Sequence, residues 1–392
     1  MVNKFLYPNG GSETYIFKIG KALEKMGHTV EFFGMDDPRN IVGNSENSYT
    51  KNMDFRGGGG KLAKLFYPLE IIYSADARRK IAKVLDSFKP DAVHLNNINF
   101  QITPSIIYEI KKRNIKIIWT VHDYMLVCPN HQMYIPDCGK ICSACTGGKY
   151  VNCFKNKCLH GSAAKSAIAA AEGYFYKMLH TYRAVDCVIC PSAFIKDKLG
   201  TNRDIHGKCR VMHNFIEDVE PRQNRTGDYV LYFGRFDREK GIETLIRVCR
   251  ELPDIKFVFA GGGELEDKLR GIENIENVGF KSGAELEELI RGARFSVYPS
   301  EWYENCPFSV MESQMYGVPV VGADIGGIPE LIRDGVDGKL FESGNAESLK
   351  TAISALYRDK ARNAEFAEKC KEKKFDTVDE YCAKLIEIYS EQ

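Results

Sequence analysis

Arg235 and Lys240 stand in "GRFDREKGIETLI", just past the apolar run "YVLYFG" (229–234). A planar guanidinium fork and a compact ammonium above one strand end suit a diphosphate. The plain alternative is a pair of solvated surface cations. Further on, "YPSEWYENCPFSVMESQMYG" carries two carboxylates, Glu304 in a loop and Glu312 inside a helix that Pro307 opens. The first-turn amides of Phe308, Ser309 and Val310 offer a second anion site. Carboxylates beside it can accept hydrogen bonds from sugar hydroxyls, although a glutamate early in a helix serves equally as a dipole partner. "YPNGGSETY" places Gly10 and Gly11 at the mouth of another helix, where bare amides hold an anion or glycine closes a tight turn. It is not the G-x-G-x-x-G dinucleotide fingerprint. His122 follows the run "IKIIWTV" (115–121), where a histidine faces a cleft by position or packs as a cap.

These residues need elements to hold them. Short apolar runs at 2–7, 28–34, 91–96, 115–121 and 186–190 alternate with helix-length segments, and the pattern restarts at 229–234, 255–263, 294–300 and 318–324. Strands so spaced predict βαβ units on parallel sheets. The chain of 392 residues exceeds what one core serves. The expected fold is α/β, with two doubly wound Rossmann-like domains whose ligands lie beyond the strands' carboxyl ends. The join falls near 214–226, and 376–392 reads as an amphipathic helix. The expected domains are 1–213 with 376–392, and 214–375.

Fifty-four basic against 53 acidic residues leave no electrostatic case for nucleic acid. No apolar run approaches the ~20 residues of a membrane span, and the first residues lack a signal peptide's apolar stretch. A cytoplasmic protein with reduced thiols is the expectation.

Two insertions break the rhythm. Six of the 13 cysteines fall between Cys128 and Cys158. Cys138, Cys142, Cys145 and Cys153 are the candidate ligands of a structural zinc ion or iron–sulfur cluster that would order a loop with little core of its own. Reduced, free thiols are the alternative. The segment 57–85 is glycine-rich, then basic and aromatic. Phe66, Tyr67, Ile71, Ile72 and Tyr73 with its cations could lie on an anionic membrane surface, which would make the protein peripheral at the inner face. Packing on its own domain is the simpler reading.

"PNGGSETY", "TVHD", "GRFDREKGIETLI", "PSEWYENCPFSVMESQMYGVPVV" and "GGIPELI" together resemble the retaining glycosyltransferases of family 4, which have the two-domain GT-B architecture. The resemblance implies a nucleotide-sugar donor in a cleft between the domains. Arg235 and Lys240 would bind its diphosphate, Glu312 the ribose, and Glu304 the sugar hydroxyls near C3. Gly11 would lie near the phosphates and His122 near the transferred sugar. The first domain would face the acceptor, a glycan or lipid-linked saccharide of cell-surface polysaccharide assembly. The implied chemistry is transfer with retention and without a catalytic metal or other cofactor. Rival readings are an epimerase or phosphorylase on the same fold, or a non-catalytic nucleotide-sugar-binding module.

Overall fold

The computed structural model describes residues 1–52, 69–217 and 227–391. The chain divides into two compact units, Met1–His213 with Val378–Gln392, and Asn214–Thr377.

In the first unit, β1 (Ala92–Leu95), β2 (Lys116–Thr120), β5 (Cys187–Cys190) and β6 (Cys209–Val211) form a parallel sheet in the order β1-β2-β5-β6. Val2 adds a row by bridging Phe33 and Leu95 in parallel. The strands expected at 2–7 and 28–34 shrink to these contacts. The backbone ladders through Val2, Asn3 and Lys4, after which the Leu6 carbonyl turns away to accept from Ile41. The helix Gly11–Lys25 follows. The helix Val378–Ser390 belongs to this unit because Tyr381, Leu385 and Ile388 are buried in it. Its Tyr381 hydroxyl lies 3.0 Å from that of Tyr15, and its Tyr389 hydroxyl 2.6 Å from His94 Nδ1. Burial drives the His94 imidazole down to about 3, so it works here as a neutral hydrogen-bonding group.

The second unit is a six-stranded parallel sheet in the order β12-β11-β10-β7-β8-β9. Its strands are β7 (Tyr229–Arg235), β8 (Lys256–Gly262), β9 (Ile275–Gly279), β10 (Phe295–Tyr298), β11 (Val320–Ala323) and β12 (Gly338–Phe341). Alternate residues of β7 feed opposite faces. Val230 and Tyr232 join one apolar cluster with Phe257, Phe259 and Phe295, and Leu231 and Phe233 join another with Val258 and Ala260. A sheet buried on both sides reads as continuous apolar runs, which is why β7, β8, β10 and β11 were visible in the sequence. The strands β6, β9 and β12 were not. β9 is half exposed, and its "IENVG" shows no such run.

Of the segment 57–85, residues 57–68, with Phe66 and Tyr67, lie outside the described residues. The remainder packs on its own unit. The helix Ala75–Phe88 starts at Ser74, whose side chain accepts the Ala77 amide, and buries Ala77, Ile81, Val84 and Leu85. Three of its four cations are engaged in ion pairs: Arg78 with Glu109, and Arg79 and Lys80 with Asp76. Among the described residues no helix is long and apolar enough to cross a membrane.

The cysteine-rich window forms a hairpin, β3 (Tyr134–Ile135) with β4 (Lys140–Ile141), a short helix Val151–Lys155 and turns around a small core. That core is Cys145, Tyr150, Cys153 and Cys158 against Ala169 and Ala170 of the helix Ala163–Met178.

Candidate functional site

Lys240 and Glu304 are 64 residues apart in the chain, and the fold joins them at 2.6 Å from Nζ to Oε1. The approach is built by backbone. After β7 the chain makes a 3₁₀ turn, Arg238–Lys240, closed by Gly241 at φ +71°. A β-carbon at Gly241 would fall 1.8 Å from the Pro299 carbonyl oxygen, so only glycine lets this turn press on the loop after β10. One bond stitches the surfaces together: the Glu301 amide donates to the Glu239 carbonyl at 2.9 Å. From the other side, Gly326 at φ +62° leaves no room for a side chain against the Glu304 backbone, and the Gly327 amide donates to the Glu304 carbonyl at 2.7 Å.

Three donors converge on Glu304 Oε1: Lys240 Nζ, Trp302 Nε1 at 2.6 Å and the Ser300 hydroxyl at 2.9 Å. Lys240 Nζ also lies 5.1 Å from the Trp302 ring centroid. The pair is nearly enclosed, with side-chain exposures of 14% and 9%. Burial pushes the Glu304 carboxyl up, but the Lys240 charge and the three hydrogen bonds outweigh it and hold the group below the usual carboxylate range. The corner therefore presents an ion pair at neutral pH, its geometry fixed by its own surroundings.

The other candidates of this unit sit apart from that contact. Arg235 is largely exposed and leans on acidic neighbours in its own turn, pairing with Asp237 and lying 3.4 Å from Glu239. Glu312 is half-buried in the helix Phe308–Met315, with Pro307 at the N-cap. Val310 does not offer a ligand amide. It is fully buried, and its N–H turns back to the Pro307 carbonyl at 3.2 Å. The half-buried Phe308 and Ser309 remain at the helix mouth.

In the first unit, Gly10 caps the helix Gly11–Lys25. Sequence reasoning missed its companion. The buried Glu13 receives Asn3 Nδ2 and the Ser12 hydroxyl, both at 2.9 Å, and its Oε2 lies 3.4 Å from where a Gly10 β-carbon would stand. A carboxylate in the first turn suits the helix dipole, and its signal was the acidic residue directly after "GGS". His122 Nε2 lies 2.9 Å from Asn96 Oδ1, with its ring edge-on to Tyr15 at 4.9 Å. Burial lowers its pKa to about 4, so the ring is neutral. Trp302 and Ser300 were also missed, although the tryptophan lies inside the motif that flagged Glu304.

The four proposed metal ligands are not gathered. Cys138 is exposed at the end of a 3₁₀ turn, and its sulfur reaches only the Ile135 carbonyl at 3.8 Å. Cys145 and Cys153 are core residues of the insertion. Among the described residues no group of three or more His, Cys, Asp or Glu is arranged to hold a metal ion. Cys128, Cys142, Cys145 and Cys158 instead line one small pocket with Met133 and Tyr134. All 13 cysteines are free. Burial pushes the Cys128 and Cys145 thiols up to about 12, so both are neutral.

Comparison with known proteins covers both units. The model of Glycosyltransferase Family 4 matches residues 9–220, and that of Glycosyl transferases group 1 matches residues 215–374. An "uncharacterized glycosyltransferase" of Methanocaldococcus jannaschii is 30% identical over 55% of this chain and 63% of its own length. A lipopolysaccharide core biosynthesis glycosyltransferase of Rhizobium meliloti is 26% identical over 50% of this chain and 61% of its own. The chain spans 63%, 39% and 45% of the first three curated relatives, less than two thirds of each. Among solved structures, Anabaena HepE in complex with UDP superposes with a TM-score of 0.67 at 16% identity, over 99% of this chain and 98% of that one. At that identity the likeness shows the fold, two Rossmann-like domains.

Proposed function

Because the chain belongs to Glycosyltransferase Family 4, whose model matches residues 9–220, and its second half is matched by Glycosyl transferases group 1, we propose that it transfers a sugar from a nucleotide-sugar donor to a hydroxyl of a glycan or lipid-linked acceptor, with retention at the anomeric carbon. The observation that carries this reading is the enclosed Lys240–Glu304 pair. An ammonium and a carboxylate fixed side by side match a ligand whose diphosphate and sugar hydroxyls are neighbours. Lys240, with Arg235 swinging from its local partners, neutralises the charge that develops on the departing diphosphate. Glu304 accepts from donor-sugar hydroxyls and Glu312 from the ribose. The Phe308 and Ser309 amides add dipoles at the phosphates. Such preorganised charge stabilises the transition state without reorganisation, and we assign it the role that a divalent cation would otherwise fill.

The bond from C1 to the phosphate oxygen breaks as the acceptor oxygen bonds C1 from the same face. The acceptor's proton passes to the departing phosphate. His122, neutral, serves as a hydrogen-bonding partner to the transferred sugar. The matched lipopolysaccharide enzyme and the UDP complex support surface-glycan assembly and a nucleotide donor.

The test is incubation with UDP-, GDP- and ADP-sugars, following nucleoside diphosphate release with and without acceptors, in EDTA and in magnesium. Release that persists in EDTA is expected. A donor isomerised without release would make the protein an epimerase. Neither turnover nor a thermal shift with any donor would leave the proposal without support.

A further inference from the structure

A second polar cluster lies in the first unit, at the carboxyl ends of β1 and β2. Asp123 follows His122 directly. One of its oxygens accepts the Met125 amide at 2.9 Å and the other accepts Asn99 Nδ2 at 3.3 Å. The same Asn99 nitrogen lies 3.1 Å from His131 Nδ1. His131 is buried and comes from the cysteine-rich insertion. Its loop is tied to the strand end by the Tyr124 amide donating to the His131 carbonyl at 2.9 Å. Lys4 completes the group, its ammonium 5.0 and 5.3 Å from the Phe5 and Phe100 ring centroids. Lys4, Phe5, Asn99, Phe100 and Asp123 are all half-buried, so the cluster is walled yet reachable.

Two features set it apart from an ordinary surface network. A carboxylate has about four acceptor positions, and these two hydrogen bonds leave Asp123 capacity for a further donor. Phe100 and His131 both hold positive φ, +62° and +67°, their rings 5.0 Å apart. Left-handed backbone is uncommon for bulky residues and persists where the surroundings over-determine it, often at binding sites. Burial raises the Asp123 pKa, partly offset by His131 and its hydrogen bonds, and lowers that of Lys4 to about 8. Both shifts come first from burial, the mark of charges taken out of water.

We propose that this cluster seats a sugar ring of the acceptor, with Asp123 accepting a hydrogen bond from a ring hydroxyl beside the attacking one and Asn99 and His131 positioning that carboxylate. Phe5 and Phe100 supply an apolar wall for the ring's C–H face, as sugar pockets combine apolar surface with a few placed polar groups. The inference rests on the proposed transferase reading, since it needs His122 beside the transferred sugar. The cysteine-rich insertion then serves the reaction by delivering His131 to the acceptor.

The test uses the full chain, the nucleotide sugar it hydrolyses fastest, and p-nitrophenyl glycosides of glucose, galactose, mannose and N-acetylglucosamine as acceptors. The readout is the ratio of transfer to acceptor-free donor hydrolysis. Asp123→Asn should lower this ratio about 100-fold through a raised acceptor KM and a lowered kcat. Asn99→Ala and His131→Ala should lower it about 10-fold each, and His131→Gln should recover part of the loss. Should Asp123→Asn unfold, judged by its thermal transition, the His131 pair carries the same decision. A wild-type chain that turns over donor and acceptor while the variants keep its ratio overturns the acceptor site alone. A wild type that neither binds nor hydrolyses any nucleotide sugar removes the transferase reading and the acceptor site with it.

Discussion

The corner around Lys240 and Glu304 and the cysteine-rich insertion both stand out by residue type, and they differ in what burial does to them. At the corner, two opposite charges are enclosed together, and three donors keep the Glu304 carboxyl ionised. In the insertion, thiols are enclosed without a positive partner, and burial drives Cys128 and Cys145 to neutrality. One region stores charge where a diphosphate could use it. The other uses its cysteines as small apolar core residues, packed against Tyr150, Ala169 and Ala170. Residue type announces a site; the charge state that packing imposes decides whether chemistry follows.

The sharpest way to break this contrast is at the ion pair. On the proposed transferase reading, Lys240→Ala or Glu304→Gln should reduce kcat/KM for donor turnover about 10³-fold, because the contact proposed with the departing diphosphate or with the sugar is removed. Each single variant also leaves a buried charge or its donors unmatched, at a cost of about 3–5 kcal/mol. The double variant Lys240→Met/Glu304→Gln should regain much of that stability while activity stays lost. Activity recovered along with stability would reduce the pair to a structural role.

Acid titration separates the two units. His94 and His122 fold with pKa values near 3 and 4, depressed from an unfolded value near 6.5. The unfolded chain therefore binds more protons between those values. Their stabilisation is complete above about pH 6.5 and is lost as pH falls towards 4, by a few kcal/mol in all. The lowered Glu304 carboxyl works at lower pH, its contribution present above the ordinary carboxylate pKa and lost only below it. Circular dichroism with limited proteolysis should show the first unit opening at higher pH than the second. The reverse order would mean that buried histidines do not govern the first unit.

Gly326→Ala adds a β-carbon against the Glu304 backbone at a left-handed φ. A loss of about 1–3 kcal/mol in urea unfolding is expected, with weaker donor binding. Gly283→Ala shares the positive φ but faces open space, and should cost less. The smallest effect belongs to the cysteines. Cys145→Ala should cost about 1–2 kcal/mol through packing alone. A chelator should move Tm by no more than about a degree. A fall of about ten degrees in EDTA, with zinc in the purified protein, would show that the sulfurs regroup around a metal.

Much of the frame was legible beforehand. Strands buried on both faces declare themselves as apolar runs, as in "YVLYFG" and "KFVFA", whereas the half-exposed β9 carries no such signal. Motif residues were found because glycine, proline, lysine and glutamate in fixed order leave few local alternatives. Their partners were harder. Trp302 and Ser300 lie two and four residues from the carboxylate they hold, but the sequence does not show the loop conformation that turns them onto it, and His131 is 32 residues from Asn99. Val310 looked like a donor until the helix turned its amide onto Pro307.

Local order along the chain thus determined two α/β domains, because periodicity and turn chemistry act over a few neighbours, while the family came from a resemblance carried by its motifs. Tertiary structure alone decided that Lys240 meets Glu304, that the candidate cysteine ligands part company, and that Asp123 and Lys4 share one cluster with two phenylalanine rings. Contacts between residues tens of positions apart, and the desolvation that sets their charge, arise only once the sheets have closed over them.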